Sequence, residues 1–174
     1  MKRLGFVAAL MALAAPEVAT AQRACITAPE AEAMTLVAMP DILRETGRVC
    51  GARLPATSLI RGNGTLLSKY ESAADQAWPA ARAAIVKLSD PAIDTLLQSD
   101  YARPLLTSLL VPFIVGRIGL EDCGTIDRLV TQLAPLPPRN MAGVVVTALQ
   151  YLKTEKARGR QVAVPDLPLC TNGN

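Results

Sequence analysis

The sequence predicts an all-α fold: a compact irregular bundle of about six or seven helices with an extended, disulfide-tethered C-terminal tail. Three observations carry this prediction. Apolar residues recur at helical rather than alternating spacing through most of the chain. The composition is rich in Ala and Leu and poor in aromatics, with one Trp, three Tyr and two Phe. The 13 prolines fall mostly where helices begin or end.

The first segment reads as a removable leader. Lys2 and Arg3 form a basic head, Leu4 to Ala15 is mainly apolar, and Ala19-Thr20-Ala21 offers the small residues of a cleavage site. The apolar stretch is shorter than the roughly 20 residues that a membrane span needs. Gln22, Arg23 and Ala24 before Cys25 do not suit lipid attachment at that cysteine. The expected organisation is a signal peptide over 1–21 and one helical domain over 22–174, in the periplasm or secreted. Without Lys2, Arg3 and Glu17 the chain keeps 16 basic and 14 acidic residues, a net charge of +2. Near balance argues against nucleic acid, which is met by a concentrated basic surface.

Four cysteines, Cys25, Cys50, Cys123 and Cys170, remain after cleavage. In an oxidising compartment an even set reads as two disulfides. Pairing of sequence neighbours, Cys25–Cys50 and Cys123–Cys170, is the preferred arrangement of the three possible. No two cysteines have the spacing of a zinc site and the chain has no histidine, so neither a metal nor any other cofactor is expected.

The elements follow in order. Thr27 and Glu30 form a capping-box pattern ahead of Ala33, Leu36 and Val37. Pro40 is expected to break this helix, and a second continues with Ile42, Leu43, Val49 and Leu54 inward; Gly47 and Gly51 invite close approach by a neighbour. "RGNG" at 61–64 is a turn. A helix from about Thr65 buries Leu66, Tyr70, Ala73, Ala74 and Ala77, stops or kinks at Pro79, and resumes with Ile85, Val86 and Leu88. Asp90 and Pro91 start another. Leu105 to Val115, with only Thr107 and Ser108 polar, reads as a central helix buried on several sides. Asp122 caps the next, with Ile126, Leu129, Val130 and Leu133 inward. "PLPPRN" links to a final helix capped by Asn140, with Val144, Val145, Ala148, Leu149 and Leu152 as its stripe and Gly159 as its stop. Val162 and Val164 alternate in the tail, enough for one short strand.

Chemistry is sparsely signalled. Without histidine, Ser-His and Cys-His catalysis are excluded by composition. Cys123 lies beside Glu121 and Asp122, which would raise its pKa. A carboxylate pair, Glu71 with Glu121 as acid and base or nucleophile of a cell-wall hydrolase, is the one catalytic arrangement left. The better-supported expectation is a non-catalytic binding or structural protein contacting an envelope or protein partner. The alternative is a carrier of a small apolar or lipid ligand, with Leu106, Leu109, Leu110, Phe113, Ile114, Val145 and Leu149 lining a cavity between the 93–118 region and the last helix. Lys153, Lys156, Arg158 and Arg160 complete the inventory as a basic helix end, suited to the dipole or to an acidic partner.

Intact mass of the exported, non-reduced protein tests the leader and the disulfides together. The expected mass is that of residues 22–174 less four hydrogens; a lipid-bearing Cys25 or a retained leader contradicts the reading.

Overall fold

The computed structural model describes residues 24–62, 64–90 and 92–170, and the side chain of Phe113 is outside the description. The expected leader and its cleavage site, Asn63 of the "RGNG" turn and Pro91 also lie outside the described residues. Among the described residues six helices follow one another: α1 (Ala28–Cys50), α2 (Thr65–Leu88), α3 (Ile93–Leu97), α4 (Ala102–Val115), α5 (Cys123–Leu133) and α6 (Pro138–Ala157). The bundle is all-α. Among the described residues the only strand-like pairing is an isolated parallel bridge between Ile26 and Leu169.

α1 begins where Thr27 and Glu30 predict. The Thr27 backbone N–H donates to Glu30 Oε2 at 2.7 Å, and Lys87 Nζ reaches the same carboxylate at 2.9 Å. The Thr27 amide, with further help from Lys87, holds the Glu30 carboxyl below its usual range. The helix then runs for 23 residues straight through Pro40. The expected break is absent, as it is at Pro79 inside α2. Packing outweighs the local cost of each proline. Pro40 is itself buried, and Ala33, Leu36 and Val37 of α1 interlock with Ala77 and Ala81 of α2 and Ala142 of α6. These small residues bring the helices close, and α1 packs on α2, α6 and α4.

Continuity of α1 overturns the expected disulfide pairing. Cys25 and Cys50 stand at opposite ends of a helix about 35 Å long, far beyond the reach of about 7 Å between bridged Cα atoms. The bonds are Cys25–Cys170 and Cys50–Cys123. The first ties the tail to the start of α1, beside the Ile26–Leu169 bridge, with the Ile26 N–H donating to the Pro168 carbonyl at 2.7 Å. The second joins the last residue of α1 to the first of α5 inside a cluster with Leu54 and Ile60. By chain-entropy arguments each closes a long loop and contributes about 4–5 kcal/mol.

The segment after α1 folds back over its end. Gly47 permits this: a Cβ there would lie 2.4 Å from the Ile60 carbonyl oxygen. Gly51 meets only the carbonyl of Gly47 in its own chain turn. Ser58 Oγ donates to Asp127 Oδ1 at 2.5 Å, tying the segment to α5. Lys69 Nζ closes the far end of α5 by donating to the Ala134 and Leu136 carbonyls.

Three further expectations are corrected. α4 is not a central buried helix: it buries Ala102, Thr107, Val111 and Val115 and leaves Leu105, Leu109, Leu110 and Ile114 exposed. α6 starts at Pro138 with Pro137 as its cap, so Asn140 lies within the first turn. Its buried positions are Met141, Ala142, Val146 and Glu155, while Val144 is exposed. The tail pairs through Leu169 rather than through Val162 and Val164. Gly159, at φ 85°, does end α6.

Among the described residues Tyr70 is the largest fully buried side chain, packed with Leu66 and Met141, and its hydroxyl has no hydrogen-bond partner there. Burial pushes its pKa above the ordinary 10.0.

Two substitutions test this packing. Gly47→Ala is expected to lower stability in urea by about 1–3 kcal/mol, even though alanine favours helix; no loss would show that the Ile60 segment does not rest on α1. Tyr70→Phe removes a buried donor without a partner, so stability is expected to hold or to rise by up to about 1 kcal/mol. Tyr70 also contributes stability that is complete below pH 10.0 and is lost as pH rises through its raised folded pKa. The Phe variant lacks that alkaline loss. A marked destabilisation at neutral pH would mean that the hydroxyl is bonded.

Candidate functional site

The principal concavity is an open groove of about 800 Å³ walled by α1, α2, the α3–α4 turn and α4. Its position follows from the sequence of those helices. Each of the three long walls carries an internal proline: Pro40 in α1, Pro79 in α2 and Pro112 in α4. An internal proline removes one ladder hydrogen bond and crowds the carbonyl four residues back. Asp41 follows the first proline, Trp78 precedes the second, and Pro112 lines the groove itself.

Apolar and charged groups alternate along the walls. Trp78 packs against the Ala33–Ala81 cluster and also borders the groove. Leu97 and Val111 form a buried floor. Three arginines converge from three helices, and each is held by a carboxylate. Arg44 pairs with Asp41 and with Glu71, Arg103 pairs with Asp75, and Arg82 Nε lies 3.5 Å from Asp94. These pairs are solvent-exposed and each contributes at most about 1 kcal/mol. Their consequence is geometric: the guanidinium planes are oriented across helix boundaries. Glu45, held by Arg48, and Asp100 supply the opposite sign.

The described side chains among the residues expected to line an apolar cavity lie away from this groove. Leu106 is half-buried on α4, and Leu109, Leu110 and Ile114 point to solvent. Val145 and Leu149 are half-buried on α6. α4 and α6 each pack on α1, and none of these residues borders the groove. Phe113 carries the one expected side chain outside the description.

The expected carboxylate pair fares similarly. Glu71 is engaged by Arg44, Glu121 is exposed in the turn before α5, and neither lines the groove. The basic end of α6 is largely committed internally. Arg158 and Arg160 pair with buried Glu155 at 2.9 and 2.7 Å, and Lys153 Nζ donates to the Leu167 carbonyl of the tail. Among the described residues no group of three or more His, Cys, Asp or Glu is arranged to hold a metal ion, and no helix is long and apolar enough to cross a membrane.

No local pattern in the sequence marks Trp78, Arg44, Arg82 and Arg103 as one site. Proline at the middle of three successive long apolar-faced segments was the available signal. No protein-family model, no curated protein and no solved structure matches this chain.

Proposed function

We propose that the protein is a secreted or periplasmic, non-catalytic binding protein that takes a polypeptide segment of an envelope partner into the groove between α1, α2 and α4. One observation carries this reading: the groove is open and mixes three oriented arginines with carboxylates, an indole and proline edges. A polypeptide presents charges of both signs together with apolar side chains, so it can satisfy such a surface along its length. A carrier of a small apolar ligand would instead be served by an enclosed apolar cavity. The absence of histidine from the sequence fits a role in recognition, as does a bundle cross-linked at both ends of its longest contacts.

Trp78 is the only tryptophan, so its fluorescence reports on the groove alone. A photo-reactive residue at Gln98, on the groove rim, is expected to cross-link a discrete envelope protein in cells, and Arg82→Glu is expected to abolish that product. The same group at Thr147, exposed on α6, is expected to give none. Equal capture from both positions, or capture indifferent to Arg82→Glu, overturns the proposal. A blue shift of Trp78 emission with a long-chain fatty acid, in the absence of a protein cross-link, transfers the site to an apolar ligand.

A further inference from the structure

The two disulfides stand in opposite surroundings, and we infer that Cys25–Cys170 is a releasable latch: the bond at which a dithiol reductant acts on this protein, freeing the C-terminal tail while the bundle stays folded. Cys50 is 0% exposed and Cys123 1%, enclosed with Leu54 and Ile60. Cys25 and Cys170 are both part-exposed and lie outside the helices. A thiolate must reach a disulfide sulfur to exchange with it. It reaches Cys25–Cys170 in the folded protein. Cys50–Cys123 is opened to it only by unfolding of the corner where α1 meets α5.

The tail that this latch holds is otherwise weakly attached. From Gln161 to Asp166 it makes no hydrogen bond to a helix among the described residues, and Val162, Val164 and Leu167 are only half-buried. Its anchors are gathered next to the bond. The Ile26 N–H donates to the Pro168 carbonyl at 2.7 Å, the Cys170 N–H donates to the Ile26 carbonyl at 2.8 Å, and Lys153 Nζ donates to the Leu167 carbonyl. Leu169 adds an apolar contact, in the cluster of Ile26, Ala31 and Val146. These contacts do not balance the conformational entropy of ordering the segment from Gln161 to Cys170. The covalent link holds the tail's end beside Ile26 and removes most of that cost.

The bundle does not rest on the tail. α1 packs on α2, α4 and α6, the Thr27–Glu30 box caps α1 within its own first turn, and Cys50–Cys123 remains closed. In the exchange, one thiolate of the dithiol attacks a sulfur of Cys25–Cys170, and its second thiol resolves the mixed disulfide. Two electrons and two protons pass to the cysteines, leaving two thiols and the oxidised dithiol. Opening the latch uncovers Ala31 and Val146 where Leu169 sat. The oxidised and reduced proteins share one helical core and differ in that apolar seat, whatever occupies the groove.

Timed reduction by dithiothreitol, quenched by alkylation and read by peptide mass, tests the latch. Cys25 and Cys170 are expected to be alkylated together, about tenfold or more ahead of Cys50 and Cys123. In the partly reduced protein the Ile26 and Cys170 amides are expected to lose hydrogen-exchange protection, while circular dichroism keeps its helical signal. In strong urea the rate difference is expected to collapse. Cys25→Ser with Cys170→Ser is expected to reproduce the reduced form, with the same loss of protection and brighter fluorescence of an apolar dye. Reduction of both bonds together, or of Cys50–Cys123 first, overturns the inference. So does a rate difference undiminished in urea, a tail that stays protected after reduction, or a double variant that loses its helices.

Discussion

Everything in this bundle is arranged around one uninterrupted helix. α1 is about 35 Å long, it contacts α2, α4 and α6, and a disulfide stands at each of its ends. Its unbroken course depends on packing. Small residues of α1, α2 and α6 let three backbones approach closely, and the burial gained there outweighs the ladder bond that Pro40 removes. Only a chain that turned back on itself at Pro40 could bring Cys25 within disulfide reach of Cys50. A continuous α1 separates them, and Cys170 and Cys123 are their partners.

The two covalent links serve different parts of the fold. Cys50–Cys123 is fully buried and lies in an apolar cluster that holds Leu54 and Ile60 against α5. Polar contacts reinforce that corner, with Ser58 on Asp127 and Lys69 on the last carbonyls of α5. Cys25–Cys170 is half-exposed and fixes a tail with little regular structure of its own. The tail's Leu169 completes the cluster of Ile26, Ala31 and Val146. A covalent tie there substitutes for the ladder of hydrogen bonds that a proline-rich strand cannot make.

The same prolines that fail to end their helices shape the surface. Asp41 beside Pro40, Trp78 beside Pro79 and Pro112 itself line the groove with the arginines. α4 contributes to two surfaces at once. One flank forms a groove wall with Thr107 and Val111, and the outer flank carries leucines that are exposed among the described residues. Mean composition could not separate these flanks, because nearly every position from Leu105 to Val115 is apolar.

The sequence by itself determined the helical class, the use of Thr27 and Glu30 at the start of α1, the inner face of α2 around Leu66, Tyr70, Ala74 and Ala77, and the stop at Gly159. These rest on interactions within a few residues, which local spacing encodes. It did not determine the cysteine pairing, the exposure of α4, the displaced stripe of α6 or the groove. Each of those depends on which helices lie side by side. A proline's effect is decided by the burial available to either side of it, and an apolar helix is central or peripheral according to the neighbours that reach it. The arginines of the groove come from three helices and take their carboxylate partners mostly from elsewhere in the chain, so no local pattern marks them as one site. Only the tertiary structure brings them together.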